Sequence, residues 1–252
     1  MSTRQALFAL ISAACLAPLA QAQDAAPPPS GWGLGLAVGW QRQPYVGDDD
    51  KTRVLPLISF ENSWVKVLGT AVDLKLPEAG PVSFTLRARY ALNDGYESDD
   101  SAIFSGMADR KASVWLGGTA TWHTDIAKLS AEVAGDASSY SKGTQVRLGI
   151  ERDFRFGRVM LSPRIVAHWL DAKYVDYYYG VLPGEAVAGR PAYEGKATTN
   201  AEVGLRTSYG IDRQQGVFLD VSATALGSGI KDSPLVDRRT LPAVRLGYLY
   251  RF

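Results

Sequence analysis

From Gly33 onward the chain alternates apolar side chains with small or polar ones at a period of two, the spacing of an extended strand with two different faces. Leu34, Leu36, Val38 and Trp40 share one face of the first such segment, and Gly33, Gly35, Ala37 and Gly39 the other. Between Gln145 and Phe156, Val146, Leu148, Ile150, Phe154 and Phe156 alternate with Gln145, Arg147, Glu151, Asp153 and Arg155, and only Arg152 breaks the order. Similar alternation predicts strands over 33–42, 52–60, 64–68, 71–76, 81–93, 112–123, 127–137, 143–154, 157–179, 198–210, 215–226 and 240–252. That is twelve strands, with ten as the alternative if the short pair 64–76 fails; the long 157–179 could itself be a pair. No internal repeat and no helical stretch is read.

Alternation alone does not say which face is buried. A soluble sandwich or a lipocalin-like barrel turns its apolar face inward, whereas a membrane barrel turns it outward to lipid. Residues 1–22 favour the second reading: one Arg4, an apolar stretch from Ala6 to Leu19, then Ala20-Gln21-Ala22 read as a secretory signal with an A-x-A cleavage site. Residues 23–32 read as a short Pro-rich periplasmic leader, and 33–252 as the barrel. Beyond residue 22 no apolar stretch reaches the roughly 18 residues of a spanning helix. Trp40, Trp64, Tyr90, Trp122, Trp169, Tyr209 and Tyr250 fall near strand ends, as interfacial girdles do. The last strand, with Tyr248, Tyr250 and Phe252, resembles the signal read by the outer-membrane insertion machinery. The expected fold is therefore an all-β, antiparallel transmembrane β-barrel in the outer membrane of a Gram-negative bacterium, in contact with its lipid.

Barrels of this kind keep short turns on the periplasmic side and long loops outside. This places 43–51, 94–111, 138–142, 180–197 and 227–239 outside and 61–63, 77–80, 124–126, 154–157 and 211–214 inside.

Composition narrows the function. The chain has 27 basic and 26 acidic residues and a single cysteine; cleaving the signal removes Arg4 and Cys15. With no basic surface to track a phosphate backbone, nucleic acid is not an expected partner. His123 and His168 are the only histidines, so no Cys/His zinc site, no G-x-S-x-G nucleophile motif and no cofactor are read, and the expectation is a protein that is not an enzyme. Asp48-Asp49-Asp50 and the Asp94, Glu97, Asp99, Asp100 stretch could collect divalent cations, or simply remain solvated. The inward face carries Arg87, Arg89, Arg147, Arg164, Arg206, Arg245 and Arg251 against Glu132, Asp136, Glu151, Asp153, Glu202 and Asp220. So balanced a set predicts cross-strand ion pairs filling the lumen, Arg147 with Glu151 or Asp153 among them, rather than a pore of one dominant sign. Two outer loops offer binding candidates, Arg190, Tyr193 and Lys196 in one and Lys231, Asp232 and Ser233 in the other. The same loops could instead fold inward and plug the mouth.

Several short motifs, in order and spacing, resemble one family: Pro44-Tyr45-Val46-Gly47; Leu55-Pro56 with Ser59-Phe60-Glu61; Ser105-Gly106-Met107-Ala108-Asp109-Arg110; Tyr178-Tyr179-Gly180-Val181; Pro191-Ala192-Tyr193 with Gly195; Lys231-Asp232-Ser233-Pro234-Leu235-Val236; and Tyr248 to Phe252. The resemblance is to the MltA-interacting protein/OmpV (MipA/OmpV) family of Gram-negative outer-membrane proteins. It implies an outer-membrane barrel serving as a scaffold between a lytic transglycosylase and a murein synthase in peptidoglycan turnover. A narrow diffusion channel and a surface adhesin or antigen stand as alternatives. The family brings no catalytic residue set.

Overall fold

The computed structural model describes residues 31–92 and 94–252; the predicted signal segment and nearly all of the leader lie outside these residues. Its strands are β1 (Gly31–Gln41), β2 (Lys51–Glu61), β3 (Val65–Leu68), β4 (Ala71–Lys75), β5 (Val82–Tyr90), β6 (Val114–His123), β7 (Lys128–Asp136), β8 (Thr144–Glu151), β9 (Phe154–Phe156), β10 (Val159–Leu170), β11 (Thr198–Gly210), β12 (Gln215–Ala225) and β13 (Thr240–Arg251). Each pairs antiparallel with its sequence neighbour, and β13 returns to pair with β1 along Gly33↔Arg251 to Gln41↔Ala243, closing the sheet into a barrel. β8 and β9 form one wall strand. Both pair with β10 in the same register, Glu151 with Arg164 and Phe154 with Leu161. The ladder breaks only where Pro163 accepts from the Arg152 N–H at 3.2 Å but has none of its own to return. The wall therefore has twelve strands.

The faces are inverted relative to a soluble barrel. On β8, Leu148 and Ile150 are each 54% exposed while Gln145 is 2% exposed. Leu34, Leu36, Val54, Leu116, Val133, Ile165, Val203 and Leu246 are exposed likewise, the outward band that lipid covers. Pro56 lies on the part of β2 that has β1 on one side only, since β3 pairs with β2 just along Ser59–Glu61. There its missing N–H interrupts no ladder.

The long loops cluster at the barrel end opposite the chain ends and fold together. The residues from 171 onward, read as a continuation of a strand, form helix α1 (Ala172–Tyr179) instead. The Asp171 side chain accepts from the Tyr174 N–H at 2.8 Å, a helix cap, and Tyr174, Val175 and Tyr178 are the buried face. A run rich in Tyr and Val favours a strand, and the cap together with burial under the loops overrides it. A one-turn helix, α2 (Ser228–Lys231), follows β12. Gly195 runs directly over α1, where a Cβ would lie 2.2 Å from the Asp176 nitrogen. Gly195→Ala is therefore expected to destabilise the folded barrel by about 1–3 kcal/mol through overpacking, read as a lower thermal midpoint in detergent with strand content unchanged. A midpoint within a degree of wild type would contradict this packing.

Candidate functional site

Two polar constructions stand out, one closing the loop end and one lining the lumen. The closure has an apolar centre of Tyr45, Tyr96, Phe104, Val175, Tyr178, Val181, Ile230 and Leu235, all buried. Tyr96 stacks on Phe104 with centroids 3.9 Å apart, and Tyr45 Oη donates to the Tyr178 carbonyl at 3.2 Å. The loops 43–51, 94–111, 180–197 and 227–239 thus contribute to one plug, the inward-folding alternative of the sequence reading.

Arg110 and Glu185 fasten it. Arg110 Nη2 donates to both Glu185 oxygens at 3.1 and 3.0 Å, with both side chains under 10% exposed. Burial alone would raise the Glu185 pKa, but the N–H groups of Ala108 and Leu182 and the Arg110 guanidinium hold it below the usual carboxylate range. Arg190 is 3% exposed and donates to the Glu185 carbonyl at 2.6 Å, to the Ser105 carbonyl at 3.1 Å and to that of Ile103. Tyr193 Oη donates to the Gly229 carbonyl at 2.9 Å and Ser233 Oγ to the Tyr179 carbonyl at 2.6 Å. Of the six loop candidates, Arg190, Tyr193 and Ser233 are therefore bonded within the plug, while Lys196, Lys231 and Asp232 face solvent. The acidic stretches are partly paired, Asp100 and Asp48 with Lys51 at 3.2 and 3.8 Å and Asp50 with Arg42 at 3.5 Å. Among the described residues no cluster has the arrangement of a metal site.

In the lumen, Asp220 is fully buried beneath three guanidinium groups. Arg164 grips it through two nitrogens at 2.8 and 3.1 Å, and Arg206 and Arg245 approach at 3.1 and 3.4 Å. Arg164 also holds Glu202 at 2.9 Å. Arg87 bridges Asp73 at 2.6 Å and Glu132 at 3.0 Å. Paired, hydrogen-bonded geometry is the arrangement in which enclosed charges are tolerated. Four of the expected lumen residues are placed otherwise. Glu151 and Asp153 pair with Lys128, at 3.7 and 2.6 Å, and not with Arg147. Asp136 accepts from the Ser138, Ser141 and Lys142 N–H groups and from Ser141 Oγ, tying down a loop rather than an arginine. Arg251 lies exposed at the strand end. Asp73 was missed; its signal was its inward place on β4, opposite Arg87.

Where plug and lumen meet, the Asp94 carboxyl faces Arg89, Trp115, Tyr174 and Arg147. Burial pushes its pKa up to about 6, against the pull of Arg89 and the two ring donors.

The family model for MltA-interacting protein MipA matches residues 34–252. YiaT of Escherichia coli strain K12, named as an outer membrane protein, is 24% identical over 221 residues, 87% of this chain and 90% of that one. The MltA-interacting protein of the same strain is 25% identical over 222 residues, 87% and 89%. The outer membrane protein OmpV of Vibrio cholerae is 28% identical over 157 residues, 62% and 61%.

Two outcomes follow from the plug. Because the folded Asp94 pKa lies above its ordinary 3.8, the folded state holds that proton more tightly, and stability falls as pH rises from about 4 to about 6. Asp94→Asn should therefore raise the thermal midpoint at pH 8 and leave it unchanged at pH 4; an equal effect at both would contradict the assignment. Glu185→Gln should cost about 1.5–3 kcal/mol of charge-assisted bonding, seen as faster protease cleavage in 94–111 and 180–197 at neutral pH. Cleavage at the wild-type rate would show that the ion pair does not hold the plug.

Proposed function

The chain belongs to the MltA-interacting protein MipA family, and from that membership we propose that this outer-membrane barrel is a protein-interaction scaffold, joining a lytic transglycosylase to a murein synthase in peptidoglycan turnover. The observation that carries this reading is the plug. With the loop end filled by a buried apolar core and a buried ion pair, surfaces rather than through-flow are left to do the work.

Peptidoglycan enzymes act on the periplasmic side, so the face concerned is the short-turn end. It offers few but sticky contacts: Trp64 is 67%, Ile126 68% and Phe156 62% exposed at or beside turn tips. Aromatic and aliphatic anchors of this sort dominate protein interfaces when a partner covers them. The apolar band contacts outer-membrane lipid, and Tyr248, Tyr250 and Phe252 are the residues the insertion machinery would engage. The channel alternative finds no support in a filled mouth. A surface-binding role would have to rest on Lys196, Lys231 and Asp232, which remain exposed.

A photo-crosslinking residue placed in the 77–80 turn is expected to capture a lytic transglycosylase or a murein synthase in living cells. Ile126→Glu should reduce that capture at least fivefold while the barrel still assembles and migrates as a folded species. Capture of insertion machinery and neighbouring barrels alone would remove the scaffold reading.

A further inference from the structure

The outward face of β6, β7, β8 and β10 is hollowed near the turn end. Ala120 stands beside Ala131, Ala131 beside Leu148 and Leu148 beside Ala167, so one row across four neighbouring strands carries three bare methyl groups. The next row toward the turns holds Trp122, Leu129, Ile150 and Ile165 in the same register. Large side chains rimming small ones leave an open, almost wholly apolar groove of about 510 Å³, within the range of small-ligand sites. One row further on stands Arg152, the single exception to the alternation of 145–156. It is exposed and lies beside Pro163, whose carbonyl accepts its backbone N–H at 3.2 Å. Its guanidinium carbon is 4.9 Å from the centroid of the Phe154 ring, two residues nearer the turn tip, and so reaches away from the groove floor toward the headgroup level. Among the described residues it makes no ion pair; its chain neighbours Glu151 and Asp153 are held by Lys128.

An arginine on a lipid-facing wall is costly in the hydrocarbon and tolerated near the interface, where its long stem carries the charge to the headgroups. Its planar fork matches two phosphate oxygens at once. We propose that the groove and Arg152 together form a binding site for one phospholipid of the periplasmic leaflet, with an acyl chain lying over Ala120, Ala131 and Ala167 and the headgroup phosphate on Arg152. The charge decides the occupant. An apolar groove alone would accept any hydrocarbon surface, a neighbouring barrel included, whereas an unpaired cation at its turn end calls for an anion with a hydrocarbon tail. The turns decide the leaflet: Trp122 and Leu129 flank the 124–126 turn, and short turns are periplasmic, so the lipid is a phospholipid and not the lipopolysaccharide of the outer leaflet. The site rests on the membrane-embedded fold and not on the scaffold role, and the two stand or fall separately.

The test is native mass spectrometry of the full barrel released from detergent, with phosphatidylglycerol as the probe. One phosphatidylglycerol is expected to stay on the wild-type protein after the detergent is stripped. Arg152→Gln should weaken that retention about tenfold, while Arg213→Gln, which removes an exposed charge from the 211–214 turn, leaves it unchanged. Ala131→Phe fills the groove and should weaken retention severalfold. Arg152 and Ala131 are both exposed on the wall, so these variants are expected to fold. Diacylglycerol with the same chains, which lacks the phosphate, should not be retained. Equal retention by Arg152→Gln and Arg213→Gln, equal retention of diacylglycerol, or a lipid-free dimer in place of the lipid-bound monomer would each overturn the assignment.

Discussion

Backbone amides in hydrocarbon have no water to bond with, and the only sheet that satisfies them all is one without edges. Pairing of β13 with β1 meets that constraint, and much else follows from it. Where the ladder supplies the N–H groups with partners, side chains are free to obey the solvent instead, so the apolar set faces out. Prolines survive only where the ladder is already open or breaks at little cost, as Pro56 and Pro163 show. The strands must alternate strictly, because a slip of one residue would exchange the two faces along a whole strand.

Closure also creates an interior of fixed width lined by whatever does not face lipid. Here it is filled from two directions. Charged side chains pair across strands, with Asp220 serving three arginines, and the long loops descend to form a second, conventionally packed core of aromatic residues. The molecule therefore has two opposite packing logics: ionic inside the wall, apolar inside the plug. Asp94 lies where they meet, a plug carboxylate facing wall arginines.

The wall was legible in the sequence because its signal is local. Period two, turn residues and even parity together located all twelve wall strands, including the short β3 and β4. The plug was legible only as an alternative. Tyr174, Val175 and Tyr178 carry strand-favouring chemistry, and what makes them helical is a cap at Asp171 and a covering supplied by loops distant in the chain. Alternation puts Arg87, Arg164 and Asp220 on one face, where they pair across strands, but it does not choose the partners. Whether Lys128 or Arg147 takes Glu151 depends on side-chain reach across a curved surface. Loop residues such as Arg190 and Ser233 looked like ligand-binding groups because they are polar and outside; bonding to backbone carbonyls within a folded plug leaves the same trace in sequence.

The central claim is that this outer-membrane barrel is closed at its outer end. Single-channel recording of the purified, folded protein in a planar lipid bilayer tests it most directly. The account predicts a baseline indistinguishable from lipid alone across the usual range of applied voltage. Stable, discrete conductance steps from the wild-type protein would contradict it, and would mean that the plug does not seal the lumen.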